Sequence, residues 1–244
     1  MSALPQLPAL PMRDHTFYPD SDGQPMGETP IHIRNIRYTV EPLENWFADD
    51  PEVYIGANMF LYYVQGNPRK HVSPDLFVVK GVPRVTKPGR RSYRTWEEAG
   101  KGPDAVIEFT SKSTKREDTV TKFKLYRDTL RVREYFLFDP ELDYLDPSLQ
   151  GYRLAGGRYL QIKPVDGRLP SEVLGLHLEP EGELVRFVNP ATRQRLPIPP
   201  EVQEALERSE AERRSAEEGK RAADAQIARL TRELEALRRQ VPKS

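Results

Sequence analysis

One acidic residue inside an apolar strand pattern constrains the fold of this chain more than any other feature. Residues 105–109 read AVIEF, so Glu108 has valine, isoleucine and phenylalanine as near neighbours. A short run of β-branched and aromatic residues predicts a buried strand. Taking an unpaired carboxylate out of water costs several kcal/mol or forces it to protonate. The sequence therefore predicts a buried strand whose acid is compensated by a basic side chain or by a metal ion.

A helix is predicted directly after this strand. Thr114, with Glu117 three residues later, fits a capping box. Apolar residues then recur at helical spacing as far as Leu130, and the buried face is expected to include Val120 and Tyr126. A strand that leads into a helix is typical of an α/β unit.

The remaining segments of the first 200 residues extend this pattern. Thr29 and Pro30 are typical of a helix start, and Pro42 is expected to kink or break that helix. Four further stretches have strand or hairpin patterns: 52–64, 74–80, 134–140 and 141–200. The resulting order is helix, strands, helix and strand, followed by short hairpins.

The composition changes at Glu201, where a highly charged segment begins. Its apolar residues step by 4, 3, 4, 3 and 4 through Ala223, Ile227, Leu230, Leu234, Leu237 and Val241. This spacing is the a/d pattern of a coiled coil, so a homodimer through this helix is expected. The alternative is a solitary amphipathic helix. The chain then divides into an irregular lead-in (1–25), a globular domain (26–200) and a C-terminal helix (201–244).

Composition excludes several classes of protein. The chain has no cysteine, which excludes disulfide scaffolds and thiolate chemistry and leaves oxygen or imidazole ligands for any metal. No apolar run reaches the roughly 18 residues that a membrane span needs. The N-terminus lacks the pattern of an export signal, so we expect a cytoplasmic protein with no membrane partner.

The net charge of zero conceals a basic region. Between Arg69 and Arg133 there are 17 Lys and Arg residues against 8 Asp and Glu, although the whole chain has 37 of each kind. A local basic surface suits a phosphate backbone, and a solvated charged face is the alternative. The candidate nucleic-acid contacts are Arg69, Lys70, Lys87, Arg90 and Arg91.

Two acids can meet at one point of the predicted sheet. Asp75 opens the strand over 74–80, and adjacent strands lie about 4.8 Å apart, so its carboxylate can approach that of Glu108. Two anions at roughly 4 Å repel by about 4 kcal/mol even at an effective dielectric of about 20. Mg²⁺ (or Mn²⁺) is the chemical match for such an oxygen cluster. Taken singly, Asp75 also suits a turn, Glu108 a structural ion pair, and Lys122 a surface charge paired with Asp118.

Three short motifs carry a resemblance to a known family. They are SPD at 73–75, VIEFTSKST at 106–114 and REYFLFDP at 133–140, with an Asp, a Lys and a Tyr spaced between the last two. In this order they resemble the Putative restriction endonuclease family, which belongs to the PD-(D/E)XK nuclease superfamily. The likeness covers roughly residues 25–200. It implies an α/β (α+β) fold with a restriction-endonuclease-like αβββαβ core, to which this chain adds extra β-hairpins and the C-terminal coiled-coil helix.

The resemblance also implies a catalytic site. Asp75 and Glu108 would be the metal-binding acids, and a lysine would complete the site. The superfamily pattern places that lysine two residues after the second acid, where this chain has Thr110. The family looks like one in which the lysine has moved to the following helix, which implies Lys122; Lys124 is the competitor and points about 200° away around the helix axis. Possible supporting residues are Glu28, Thr110, Asp118 and Tyr126.

The implied reaction is Mg²⁺-dependent hydrolysis of phosphodiester bonds in nucleic acid, with DNA as the first candidate. Two functions of other classes stay open. One is a nuclease-like fold that binds nucleic acid without cutting it, which Thr110 in place of the lysine would favour. The other is an assembly protein whose coiled coil is the functional part.

Overall fold

The computed structural model describes residues 16–20, 29–84 and 90–240, without the side chains of 233–240. It divides into two units, Met1–Leu196 and Pro197–Ser244, and each is described by itself. Glu28 and Lys87 lie outside the described residues, and of the predicted lead-in only 16–20 is described, with no helix or strand.

Helices and strands of the first unit follow the predicted order. Helix α1 spans Pro30–Trp46, and a further helix over 115–129 lies between the sixth and seventh strands. The strands are β1 Val53–Ala57, β2 Phe60–Tyr62, β3 His71–Val72, β4 Leu76–Lys80, β5 Ser92–Arg94, β6 Ala105–Phe109, β7 Glu134–Phe138, β8 Leu149–Ala155, β9 Arg158–Gln161, β10 Leu169–Ser171, β11 Leu176–Glu181 and β12 Leu184–Val188. Without the inserted short strands, the order α1-β1-β4-β6-helix-β7 is αβββαβ. The predicted fold class is confirmed.

The strands form one large sheet and two small ones. The large sheet has the order β1-β4-β6-β7-β8-β9, in which only the β6–β7 pair is parallel. The helix over 115–129 makes the crossover that a parallel pair requires. Strands β2, β3 and β5 form an inserted sheet, and β10, β11 and β12 form the third. The large sheet is therefore the frame on which the acids are placed.

The two faces of the large sheet contribute to different hydrophobic cores. Ile107 and Phe109 belong to a core that contains Leu43 of α1. Val106 belongs to a second core that contains Tyr126 of the crossover helix. Because successive side chains of a strand point to opposite faces, Glu108 shares the face of Val106. The strand therefore directs its acid beneath the crossover helix.

Helix α1 begins where the sequence predicts. Thr29 is its N-cap, and the Thr29 side chain accepts a hydrogen bond of 3.2 Å from the His32 N–H. The predicted break at Pro42 is wrong, because the helix continues to Trp46 with Pro42 and Leu43 buried. Burial of this segment against the sheet outweighs the backbone hydrogen bond that the proline cannot make.

The crossover helix also lies where it was predicted, and it buries Tyr126 as expected but not Val120. Val120 is exposed, whereas Asp118, Lys122 and Tyr126 are buried. Two stretches of this helix have π-helical hydrogen bonding, Glu117–Lys122 and Leu125–Thr129. The wider π turn changes which residues align along the axis, so periodicity at 3.6 residues misassigned Val120. The buried stripe of this helix is polar.

The second unit is one helix, α2, which spans Pro199–Gln240. It begins within two residues of the boundary at Glu201 that composition predicted. Its described side chains from Glu201 to Arg232 are exposed, including the heptad positions Ile227 (62%) and Leu230 (53%). In the described part of the chain, every helix is too short or too polar to cross a membrane.

Candidate active site

Strand register brings Asp75 and Glu108 together. Strands β4 and β6 are antiparallel with Leu76 opposite Ile107, so the next step of the same register places Asp75 opposite Glu108. Directly opposite residues point to the same face of a sheet. The Asp75 N–H donates to Glu108 Oε2 at 3.3 Å, and the Phe109 N–H donates to Asp75 Oδ2 at 2.7 Å. Each carboxylate is therefore held by the backbone of the other strand.

Glu108 is fully buried, and a set of donors compensates it. Lys122 Nζ donates to Oε2 at 2.9 Å, and the Tyr126 hydroxyl donates to Oε1 at 2.6 Å. With the Asp75 N–H, three donors satisfy the two carboxylate oxygens. The crossover helix supplies two of these donors from consecutive turns, which explains how a strand interior tolerates this acid.

The charges at this site shift one another's pKa values. Burial raises the pKa of Glu108 well above its usual value of 4.5, the Lys122 ammonium opposes that rise, and the charges of Asp75 and Asp118 add to it. Burial acts to lower the pKa of Lys122, but the carboxylates of Glu108 and Asp118 outweigh it and hold that pKa above its usual range. Lys122 is therefore a cation at neutral pH, in a site with more acids than bases.

Thr110 and Asp118 hold Lys122 from its other side. Asp118 Oδ1 lies 3.2 Å from Lys122 Nζ, and the Thr110 hydroxyl donates to Asp118 Oδ2 at 2.8 Å. Both residues are buried. Thr110 occupies the position where the superfamily has its lysine. Here it donates to the Asp118 carboxylate, and that carboxylate contacts Lys122.

The structure brings Lys122, and not Lys124, to the two acids. Lys124 is exposed on the same helix, whereas the Lys122 side chain is only 11% exposed. Lys122 lies in the first π-helical stretch, and π turns are frequent at functional sites. The two lysines therefore occupy different environments, and only Lys122 contacts Glu108.

His32 reaches the site from α1, and sequence reasoning missed it. Its Nε2 lies 3.2 Å from Asp75 Oδ1, and its ring lies edge-on to Phe109 with 6.0 Å between centroids. The contact joins the first turn of α1 to the start of β4, which are far apart in sequence. A single histidine in an amphipathic helix carries no local signal of this contact. Its position three residues after the N-cap Thr29 is the one feature of the sequence that could have drawn attention to it.

A cavity of about 180 Å³ opens beside these residues. Asp75, Asp118, Lys122 and His32 form part of its wall, together with Thr110, Ser111, Ser113 and Thr114. Side-chain exposure falls from 22% for His32 and 15% for Asp75 to 0% for Glu108. A group that enters the cavity therefore meets His32 and Asp75 first, with Glu108 beneath them.

The donor set fits the divalent cation that the resemblance implies. Glu108 and Asp118 share the ammonium of Lys122, and Asp75 lies beside Glu108 with His32 as its partner, so three carboxyl groups meet a single ammonium. Asp118 Oδ1 is buried without a well-aligned hydrogen bond among the described residues. Those residues contain no cluster of three or more His, Cys, Asp or Glu that could enclose a metal. Mg²⁺ is usually held by one or two carboxylates and otherwise by water and substrate phosphate, so Asp75 and Glu108 suffice.

The predicted nucleic-acid contacts divide into exposed and buried residues. Arg69 and Lys70 are exposed in the loop before β3. Arg91 is exposed and forms an ion pair of 2.9 Å with Asp20. Lys87 lies outside the described residues, so its role stays a prediction.

Arg90 has a structural place instead, and its prediction as a backbone contact is wrong. Its largely buried guanidinium pairs with Glu98. It also packs over the rings of Tyr54 and Tyr93, at 4.7 and 5.2 Å from their centroids. A guanidinium with these partners is not available to a phosphate, and positive charge in the sequence alone could not reveal them.

Comparison with known proteins gives the family of this chain. The family model Uma2, described as Putative restriction endonuclease, matches residues 4–185. The chain belongs to this family. The Uma2 match includes both acids and the crossover helix and ends before α2. Membership in a family described in these words supports nuclease function in general.

Searches of individual proteins add one solved structure. It is that of a putative nuclease from Anabaena variabilis ATCC 29413, which is 16% identical to this chain. The similarity covers 62% of this chain and 79% of that chain, with a TM-score of 0.45. Among curated proteins, none matches this sequence.

Proposed function

We propose that this Uma2-family protein is a metal-dependent endonuclease that hydrolyses phosphodiester bonds, with DNA as the expected substrate. The observation that carries the proposal is the 2.9 Å contact of Lys122 Nζ with Glu108 Oε2, beside Asp75 on the opposing strand. Asp75 and Lys122 thus line a cavity, and Glu108 is buried beneath them. The resemblance assigns catalysis to the same three residues.

Each residue has a role that its position supports. Asp75 and Glu108 would hold Mg²⁺ or Mn²⁺, which when bound polarises a scissile phosphate and lowers the pKa of a coordinated water. Lys122 stabilises the negative charge that develops on the phosphoryl oxygens. His32 and the Phe109 N–H orient the Asp75 carboxylate by contacting one oxygen each.

The first test is conversion of supercoiled plasmid to nicked and linear forms by the purified full chain. We expect cleavage in Mg²⁺ or Mn²⁺ and none in EDTA, with RNA and single-stranded DNA as parallel substrates. A folded protein that cuts none of these substrates in either metal would contradict the proposal.

The second candidate, a nuclease-like fold that binds nucleic acid without cutting it, would then remain. Thr110 at the lysine position and the complete set of donors around Glu108 are the observations that favour it.

Replacing Thr110 by valine should slow cleavage about 10-fold and should also lower the free energy of unfolding. The valine keeps the shape but removes the hydroxyl that donates to Asp118, and a hydrogen bond to a charged group contributes about 1.5–3 kcal/mol. We expect the loss in kcat, with KM unchanged, because the effect reaches the substrate through Lys122. Thr110→Ser keeps the donor and should retain most activity. Full activity in Thr110→Val would contradict this role.

We further propose that α2 joins two copies of the chain. Its described heptad residues Ile227 and Leu230 are exposed, and a paired helix would bury them. Light scattering should show a dimer for the wild type and a monomer for the double variant Ile227→Glu, Leu230→Glu. The matched control, Ala225→Glu with Ala228→Glu, places the same charges away from the heptad face and should remain dimeric. A wild type that stays monomeric at high concentration would contradict the pairing.

A further inference from the structure

The geometry points to residues 111–116 as the surface over which the phosphate backbone of the substrate approaches the cavity. We call this surface the basic lip. The inference rests on the proposed endonuclease function and assigns its nucleic-acid contact to a surface other than the predicted one around Arg69 and Lys70. Four features of the described residues support it.

Hydroxyl groups of the basic lip form part of the cavity wall. Ser111, Ser113 and Thr114 line the cavity together with Asp75 and Lys122. The Ser111 and Ser113 hydroxyls are 2.8 Å apart, and the Ser111 N–H donates to Thr114 Oγ1 at 3.0 Å. These contacts hold the loop in one conformation at the mouth of the site. Serine and threonine hydroxyls are common contacts to phosphate oxygens.

The cations of the basic lip are exposed and available. Lys112, Lys115 and Arg116 are all exposed, and no described carboxylate forms an ion pair with them. Lys115 Nζ lies 4.7 Å from the centroid of the Tyr144 ring. Since the Tyr144 hydroxyl contacts Thr110, this ring holds Lys115 beside the cavity.

Three arginines of the basic region already have anionic partners. Arg90 pairs with Glu98, Arg94 pairs with Glu97 at 3.0 Å, and Arg127 pairs with Asp128 at 2.6 Å. A cation with an intramolecular partner has less to gain from a phosphate, because it must exchange one anion for another. The cations of the basic lip need no such exchange, and neither do the exposed Arg69 and Lys70, which the test below compares with them.

Charge on the other loop that lines the cavity has the opposite sign. Pro140 and Glu141 of this loop are lining residues, and the exposed Asp143 follows them in the chain. A polyanion is repelled there and attracted at the basic lip. This difference in charge favours an approach of the nucleic-acid phosphate backbone over residues 111–116 toward Asp75.

The test measures binding of fluorescein-labelled DNA to the full chain in a Glu108→Gln background, so that cleavage does not interfere. The lip variant carries Lys112→Glu, Lys115→Glu and Arg116→Glu. The charge-matched control carries Arg158→Glu, Lys163→Glu and Arg193→Glu, three exposed residues away from the cavity wall. Single-stranded and duplex DNA of one sequence are the two arms, each titrated by fluorescence anisotropy at several salt concentrations.

We expect the lip variant to bind at least about 30-fold more weakly and the control variant to change Kd less than about 3-fold. Each lost phosphate contact lowers the slope of log Kd against log salt by about 0.9 for duplex or about 0.7 for a single strand. The lip variant should therefore lose about 2 to 3 from the duplex slope if all three cations contact phosphates. The form of DNA whose affinity falls more in the lip variant is the form that contacts the basic lip.

Three results would overturn the inference. The first is an unchanged Kd and salt slope in the lip variant. The second is an equal loss in the control. The third is a larger loss in Arg69→Glu with Lys70→Glu, which would assign the path to the loop before β3. If the wild type cuts plasmid while the lip variant binds normally, only the basic lip is wrong. If the wild type neither binds nor cuts nucleic acid, the proposed function fails and the basic lip fails with it.

Discussion

Replacing Glu108 by glutamine should lower the rate of cleavage at least about 10³-fold while the protein stays folded. Glutamine has the shape of glutamate and its oxygen can still accept the Tyr126 hydrogen bond, although its NH2 group cannot accept from Lys122 or from the Asp75 N–H. It lacks the negative charge that would hold a divalent cation beside Asp75. Metal-assisted stabilisation of a transition state contributes several kcal/mol, and each 1.36 kcal/mol is about tenfold in rate.

Two further measurements make this result specific to the site. Asp75→Asn should show a loss of similar size, whereas Glu44→Gln, an exposed position of α1, should cut like the wild type. Mg²⁺ should raise the melting temperature of the wild type by binding the folded state and should not raise that of Glu108→Gln. Near-normal, Mg²⁺-dependent cleavage by Glu108→Gln would contradict the assignment of Glu108 as a metal ligand.

Replacing Lys122 by methionine should produce the largest loss of stability and also abolish cleavage. The change leaves the carboxylates of Glu108 and Asp118 buried without their ammonium. Removal of one partner of a buried ion pair typically costs about 3–5 kcal/mol. For a domain of this size that corresponds to a fall of about 6–20 °C in melting temperature, measurable by thermal unfolding in EDTA.

The pH dependence of this loss identifies the group responsible. Burial already raises the pKa of Glu108 in the folded wild type, and without Lys122 that pKa rises further, because the ammonium opposes the rise. An acid whose pKa is raised on folding stabilises the native state fully below its unfolded pKa, and this contribution is lost as pH rises through the folded pKa. The deficit of Lys122→Met relative to the wild type should therefore be smallest near pH 4.5 and grow as pH rises.

Lys124→Met is the matched control, because it removes the same charge from an exposed position of the same helix. We expect its stability and cleavage to stay close to those of the wild type. A pH-independent deficit in Lys122→Met would show that lost packing, and not the charge of Glu108, causes the effect. If Lys124→Met instead abolished cleavage, Lys124 would be the site lysine.

Local patterns in the sequence were enough to place most elements of the fold. The start of α1 follows from Thr29 and Pro30, whose effects act within one helical turn. The hairpin between β8 and β9 follows from Gly156 and Gly157, which adopt φ values of +55° and +79° that other residues rarely adopt. Strand β6 follows from its apolar composition. Each of these predictions depends on neighbours in the chain, which is why the sequence alone could make them.

Some predictions failed where distant parts of the chain meet, or where a helix departs from regular α-helical geometry. Arg90 appeared as a free cation because its contacts with Glu98 and Tyr54 depend on the folded insert. Val120 appeared buried because regular α-helical spacing was assumed where the helix has π turns. His32 had no signal because its partner Asp75 lies on another element.

The sequence by itself determined that an acid would lie within a buried strand and that a helix carrying Lys122 would follow, because both depend on spacing along the chain. Only the tertiary structure decided that β4 pairs with β6 in the register that places Asp75 opposite Glu108, and that Lys122 faces them. The pattern of one strand predicts which of its faces is buried, but the residue that lies opposite it on a strand about 30 positions away depends on the packing of two cores and a crossover helix.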